Sequence, residues 1–142
     1  MKSKRQTIAK TPEAVARLLA FSNAVTAANP TLSEYLNHLL EEKGLRAPEV
    51  YHRAEIDRQV FNRLVQYGRP VRAKKRTLLQ IAVGLCASER ETAALLATCG
   101  YTFEYASAED QAFLFCLNNG YFDMYCVYEA MELIANRQAR PA

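Results

Sequence analysis

Apolar residues recur along most of this 142-residue chain at the three-and-four spacing of one helix face. Between residues 31 and 43 the stripe is Leu32, Tyr35, Leu36, Leu39 and Leu40. Near the C-terminus it is Met124, Val127, Tyr128, Met131, Ile134 and Ala135. Start signals sharpen the pattern. Thr11-Pro12-Glu13 sets an N-cap threonine, a first-turn proline and a first-turn acid in order. Thr31-Leu32-Ser33-Glu34 and Ser88-Glu89-Arg90-Glu91 have capping-box spacing, Ser107 with Asp110 is a weaker version, and Pro48-Glu49 opens a further helix. Gly44, Gly84, Gly100 and Gly120 each follow an apolar-periodic stretch and read as helix stops. These marks predict eight helices, over 12–28, 31–43, 48–54, 58–67, 74–84, 89–98, 108–118 and 123–136. No stretch alternates with period two between hairpin turns, so no sheet is predicted. Tyr101-Thr102-Phe103-Glu104-Tyr105 is short and β-prone and reads as an extended connector.

Composition narrows the function classes. The chain is 50% apolar and 23% charged, which excludes a mainly disordered protein. No apolar run approaches the ~20 residues of a membrane span. The basic start MKSKRQTIAK has no apolar region behind it, so no secretory signal is expected and the expected location is the cytoplasm. Cys86, Cys99, Cys116 and Cys126 sit among apolar neighbours without a C-x-x-C and read as buried, reduced thiols. Their spacing, with His38 and His52 as the only histidines, argues against zinc. No Gly-rich phosphate loop, H-E-x-x-H or G-x-S-x-G occurs, so neither enzymatic activity nor a cofactor is expected.

Charge placement changes the picture more than the net +3 does. Residues 1–10 carry +4, residues 11–55 carry −2, residues 56–76 carry +6 and residues 77–142 carry −5. A basic block on a near-neutral chain points to a polyanion-facing surface. The block falls on a pair of short helices, 48–54 and 58–67, joined by Glu55-Ile56-Asp57 and flanked by a helix on each side. That is the order of a helix-turn-helix module. At about 100° per residue, Val60, Phe61, Leu64 and Val65 share one face of the second helix, and Asp57 stands where it can cap. Gln59, Asn62, Arg63 and Gln66 lie opposite, with Arg58 at the helix start. Amides and guanidinium groups match base edges in the major groove, so these five are the candidate base readers. Arg69, Arg72, Lys74, Lys75 and Arg76 are the candidate phosphate contacts.

Residues 31–88 resemble the lambda-repressor-like (XRE-type) helix-turn-helix family, by helix order, by Gly68 after the pair, and by Leu78-Leu79-x-Ile81-Ala82-x-Gly84-Leu85. Val50–Phe61, Cys99-Gly100-Tyr101 and Phe113–Asp123 look like a bacterial variant with extra C-terminal helices. The resemblance covers 31–135 and leaves out the first helix. Two positions depart from it: Tyr51-His52 stand where a small residue is usual, and no glutamine stands near Pro48. The resemblance implies an all-α, lambda-repressor-like helix-turn-helix bundle with an extra N-terminal helix and two C-terminal helices. Its segments would be 1–30, the 31–100 domain, and a 101–142 extension packed on the same core. It implies a sequence-specific regulator that binds double-stranded DNA as a homodimer, with the 12–28 and 123–136 helices as candidate dimer surfaces. A second reading stays open: a helical adaptor that binds another protein through its C-terminal half. Tyr121, Phe122 and Tyr125 are its candidate interface, because aromatic clusters favour such surfaces.

Overall fold

The computed structural model describes residues 5–8, 10–68 and 71–139. Among them the chain forms α1 (Pro12–Ala28), α2 (Leu32–Lys43), α3 (Ala47–Ala54), α4 (Arg58–Val65), α5 (Lys75–Gly84), α6 (Glu89–Ala97), α7 (Ala108–Asn119) and α8 (Met124–Ala139). No strand occurs among the described residues, and the protein is all-α. No helix among the described residues is long and apolar enough to cross a membrane.

The chain divides into two units, Met1–Pro30 and Thr31–Ala142. In the first, the Thr11 hydroxyl accepts the Ala14 N–H at 3.2 Å and Pro12 occupies the first turn of α1. No residue of α1 is buried, and Val15, Leu18, Leu19, Phe21 and Val25 are all exposed.

The second unit is assembled around α5. Leu78, Leu79, Ile81, Ala82, Val83 and Gly84 are buried, so this helix is covered on nearly every side. Helices α3, α6 and α7 pack against it, α2 packs on α4 and α6, and α8 packs on α7. Leu36, Leu39, Val50, Phe61, Leu95 and Leu96 belong to the same apolar core as Phe103, Phe113, Leu117, Met124 and Val127. The connector 101–105 is irregular, as expected, and sends Phe103 into that core.

Most start signals act as their chemistry requires. The Thr31 hydroxyl accepts the Glu34 N–H, and Ser88 and Glu91 form a reciprocal capping box. Gly44 and Gly120 end their helices in the left-handed region, at φ 63° and 75°. Gly84 departs from the expected stop. It closes α5 in right-handed geometry, and the left-handed residue beyond it is Cys86, at φ 52°. What Gly84 supplies is room: a Cβ there would collide with the Val50 carbonyl oxygen and press on Ala54 Cβ at 3.0 Å. Gly84→Ala therefore forces α3 off α5. We expect a loss of about 1–3 kcal/mol, the usual cost of overpacking, read as a lowered urea midpoint with unchanged slope.

Glu91 also serves the packing of α2. Its Oε1 accepts the Ser88 N–H at 2.8 Å and lies 3.0 Å from Lys43 Nζ. Burial opposes its charge, but the Ser88 N–H and hydroxyl together with the Lys43 ammonium outweigh it and hold the carboxyl below its ordinary pKa. Such a group stabilises the fold above its unfolded value, about 4.3, and loses that contribution as pH falls through the depressed value. Glu91→Gln should therefore weaken the fold at neutral pH and flatten the acid side of a plot of denaturation midpoint against pH.

Candidate nucleic-acid interface

Helix α3 stops because Glu55 turns left-handed, at φ 57°, and its N–H returns to the His52 carbonyl at 3.2 Å. Ile56 N–H donates to the Tyr51 carbonyl at 2.9 Å. The Asp57 carboxylate then accepts the Gln59 N–H at 2.8 Å and the Val60 N–H at 3.4 Å, starting α4. Three residues thus fix the angle between the two helices. Phe61 and Leu64 bury α4 against the core, and Asn37 Nδ2 of α2 donates to the Val65 carbonyl at 2.8 Å. The bulky Tyr51 finds room half-buried beside Phe61, with ring centroids 6.0 Å apart, and His52 is exposed.

Arg58, Gln59, Asn62 and Arg63 are all exposed on the outer side of α4. Among the described residues none of their side chains makes a hydrogen bond or ion pair. Other surface amides are committed: Asn118 to Glu89, Asn119 to the Phe115 carbonyl and Gln111 to the Tyr105 carbonyl. Two expectations for α4 need correction. The helix ends at Val65, so Gln66 is exposed but extended, at ψ 126°, and off the helical face. Val60 is 39% exposed and not a core residue, because burial centres on Phe61 and Leu64 and leaves position 60 at the edge.

The basic block divides. Lys74 is exposed, with no acid within ion-pair distance among the described residues. Arg72 is exposed, but its Nη2 donates to the Cys99 carbonyl at 2.8 Å and ties the chain to the turn after α6. Lys75 and Arg76, also candidate phosphate contacts, face acids around the start of α7. Lys75 Nζ lies 2.7 Å from buried Asp110 Oδ2 and 3.9 Å from Glu104 Oε1. Arg76 Nη1 is 3.2 Å from Glu109 Oε1, an ion pair short of hydrogen-bond geometry, and its guanidinium stands 5.9 Å above the Tyr128 ring. Arg69 lies outside the described residues.

A cleft of about 290 Å³ separates α4 from the segment leading into α5. Val60, Arg63, Val71, Arg72, Lys74 and Thr77 line it. No side chain caps the start of α5. The positive end of that helix dipole thus adds to the three cations of the cleft. The missed member of this surface is Val60, whose place at the rim of the apolar arc on the helical wheel was the available signal.

The candidate protein interface also divides. Tyr121 and Tyr125 are exposed, at 50% and 68%, whereas Phe122 packs partly buried on the core. The Tyr128 hydroxyl donates to Glu55 Oε1 at 3.2 Å, joining α8 to the α3–α4 turn. Phe115, unremarked in the sequence, is 55% exposed and stacks on Tyr121 at 6.0 Å. Its signal was an aromatic off the buried stripe Ala112, Phe113, Cys116 and Leu117. Cys99 and Cys116 are buried, and Cys86 and Cys126 half-buried. Burial, with Cys126 nearby, pushes the Cys116 thiol up. No cluster able to hold a metal occurs among the described residues.

No family model, no curated protein and no solved structure matches the chain.

The two neighbouring lysines should separate in experiment. Lys75→Ala strands the buried Asp110 carboxylate and should cost about 1–3 kcal/mol. Lys74→Ala should stay within about 0.5 kcal/mol of the parent. Thermal denaturation of the two variants checks this; equal stabilities would place both lysines on the solvated surface.

Proposed function

We propose that the chain binds double-stranded DNA through a lambda-repressor-like helix-turn-helix, with α3 as the first helix of the pair and α4 lying in the major groove. One observation carries this reading: the outer face of α4 offers Arg58, Gln59, Asn62 and Arg63 without partners among the described residues, beside the cations of the cleft. Asn and Gln present paired groups that suit adenine, and Arg suits guanine. Val60, exposed at the rim, suits a thymine methyl. Lys74, Arg72 and the uncapped start of α5 suit the phosphates beside the groove. The proposed role is that of a transcriptional regulator, with two copies spanning two half-sites.

The second reading is a helical adaptor that retains the scaffold and contacts a protein. The exposed stack of Phe115 on Tyr121, with Tyr125 close in sequence, favours it.

Selection from random duplex DNA at two salt concentrations tests the first reading. An enriched palindrome is the expected result. Lys74→Ala should lower the salt slope by about 0.9 per lost phosphate contact. Asn62→Ala or Arg63→Ala should leave the melting temperature unchanged and relax one position per half-site by about 1–3 kcal/mol. Absence of binding to any duplex at low salt, or full preference in both variants, overturns the DNA reading and puts the adaptor first.

A further inference from the structure

Cys116 and Cys126 line one groove, of about 220 Å³, between α7 and α8. Cys116 stands in the last turn of α7 and Cys126 in the first turn of α8, so both thiols lie at the end of the hairpin where the chain reverses. The reversal closes on Cys116 itself, whose carbonyl accepts the N–H groups of Gly120 and of Tyr121, the second at 2.9 Å. Cys126 N–H donates to the Asp123 carbonyl at 3.0 Å, and its side chain packs half-buried against the core that holds Cys116. Helix axes packed ~8–10 Å apart bring their facing Cα rows to within ~4–5 Å. That separation falls in the range a disulfide spans. Cys86 and Cys99 lie elsewhere, in the turns after α5 and α6.

We propose that Cys116 and Cys126 form a dithiol site that a small-molecule disulfide, of the class of glutathione disulfide, converts to an intramolecular disulfide joining α7 to α8. Exposure sets the order of events. Cys116 is 1% exposed, whereas Cys126 is half-buried and opens into the groove, so Cys126 reacts first. Its thiol gives up a proton, the thiolate attacks one sulfur of glutathione disulfide, and one glutathione leaves as its thiolate. Cys116 then gives up its proton and attacks the Cys126 sulfur, which breaks the mixed disulfide and releases the second glutathione. The two departing thiolates take up the two protons. The cysteine pair has lost two electrons and the glutathione disulfide has gained them. Burial, with Cys126 adding to it, pushes the Cys116 thiol up, which makes Cys116 slow toward an outside reagent. Toward a mixed disulfide held beside it on Cys126 the attack is intramolecular, and that offsets the burial. The product closes a short loop around the α7–α8 turn and stabilises the hairpin. The proposal does not rest on DNA binding.

Equilibrating the full chain in glutathione buffers of graded redox ratio, with acid quenching and peptide mass mapping, tests it. Cleavage before Asp110 and Asp123 puts Cys116 and Cys126 on separate peptides, apart from Cys86 and Cys99. The folded chain should yield the Cys116–Cys126 cross-link without retained glutathione. The same series in denaturing urea measures what the fold contributes. The midpoint ratio, squared glutathione concentration over glutathione disulfide concentration, should be at least ~10-fold higher for the folded chain, because a bond that stabilises the fold is stabilised by it. Cys116→Ser should trap glutathione on Cys126, and Cys126→Ser should take up at least ~10-fold less on Cys116. Circular dichroism verifies that both variants are folded; if Cys116→Ser is not, the peptide map of the parent decides alone. Four free thiols at the oxidising end overturn the proposal. So does glutathione retained on Cys126 without the cross-link, or a cross-link made to Cys86 or Cys99 instead. A folded chain no easier to oxidise than the chain in urea overturns it as well, and equal uptake by the two variants overturns the order of attack.

Discussion

The geometry of the second unit depends on how closely α3 approaches α5. Gly84 lets the Val50 carbonyl and the Ala54 methyl group lie directly on the α5 backbone. Two side chains then lock the crossing: Arg53 Nε donates to the Gly84 carbonyl at 3.0 Å, and Gln80 Nε2 to the Ala54 carbonyl at 2.9 Å. The second bond satisfies a carbonyl in the last turn of α3 that the helix itself leaves open. With α3 held this way, the turn Glu55–Asp57 leaves α4 little choice of direction. Burial of Phe61 and Leu64 settles its rotation about its own axis.

Helices α7 and α8 are built onto that frame and draw charge from it. Asp110 is buried and accepts both the Glu104 N–H, at 2.6 Å, and the Lys75 ammonium. A buried carboxylate needs such partners. Arg76 is held likewise by Glu109 and by the Tyr128 ring, while the Tyr128 hydroxyl reaches Glu55. The acidic C-terminal third therefore neutralises part of the central basic block internally. What remains outward is the face of α4 and the cleft beside it.

The proposed surfaces differ in chemistry. The α4 side carries Arg63, Arg72 and Lys74 and polar side chains without partners among the described residues, which suits a hydrated polyanion. The α7–α8 groove is aromatic and aliphatic with Glu129 in its wall, which suits a protein surface. A single substitution on one surface leaves the other's residues untouched, so the two roles are experimentally separable.

The helical class, the number of helices and most of their starts were legible in the sequence, because caps and apolar periodicity are local. Thr11, Thr31, Asp57 and Ser88 act on the N–H groups of the next turn wherever the helix ends up. The outward placement of Asn62 and Arg63 was legible for the same reason, since a helix wheel needs only its own residues. Local pattern could not say which cations would be spent inside the fold. Lys74, Lys75 and Arg76 are adjacent and look alike, and only the arrival of Glu104, Glu109 and Asp110 from some thirty residues away distinguishes them. Nor could it give Gly84 its role, which exists only because another helix crosses there. Which segments are helical, and which face of each is apolar, follow from local chemistry alone. Tertiary structure decided which polar groups were left over, because pairing depends on distances between residues far apart in the chain.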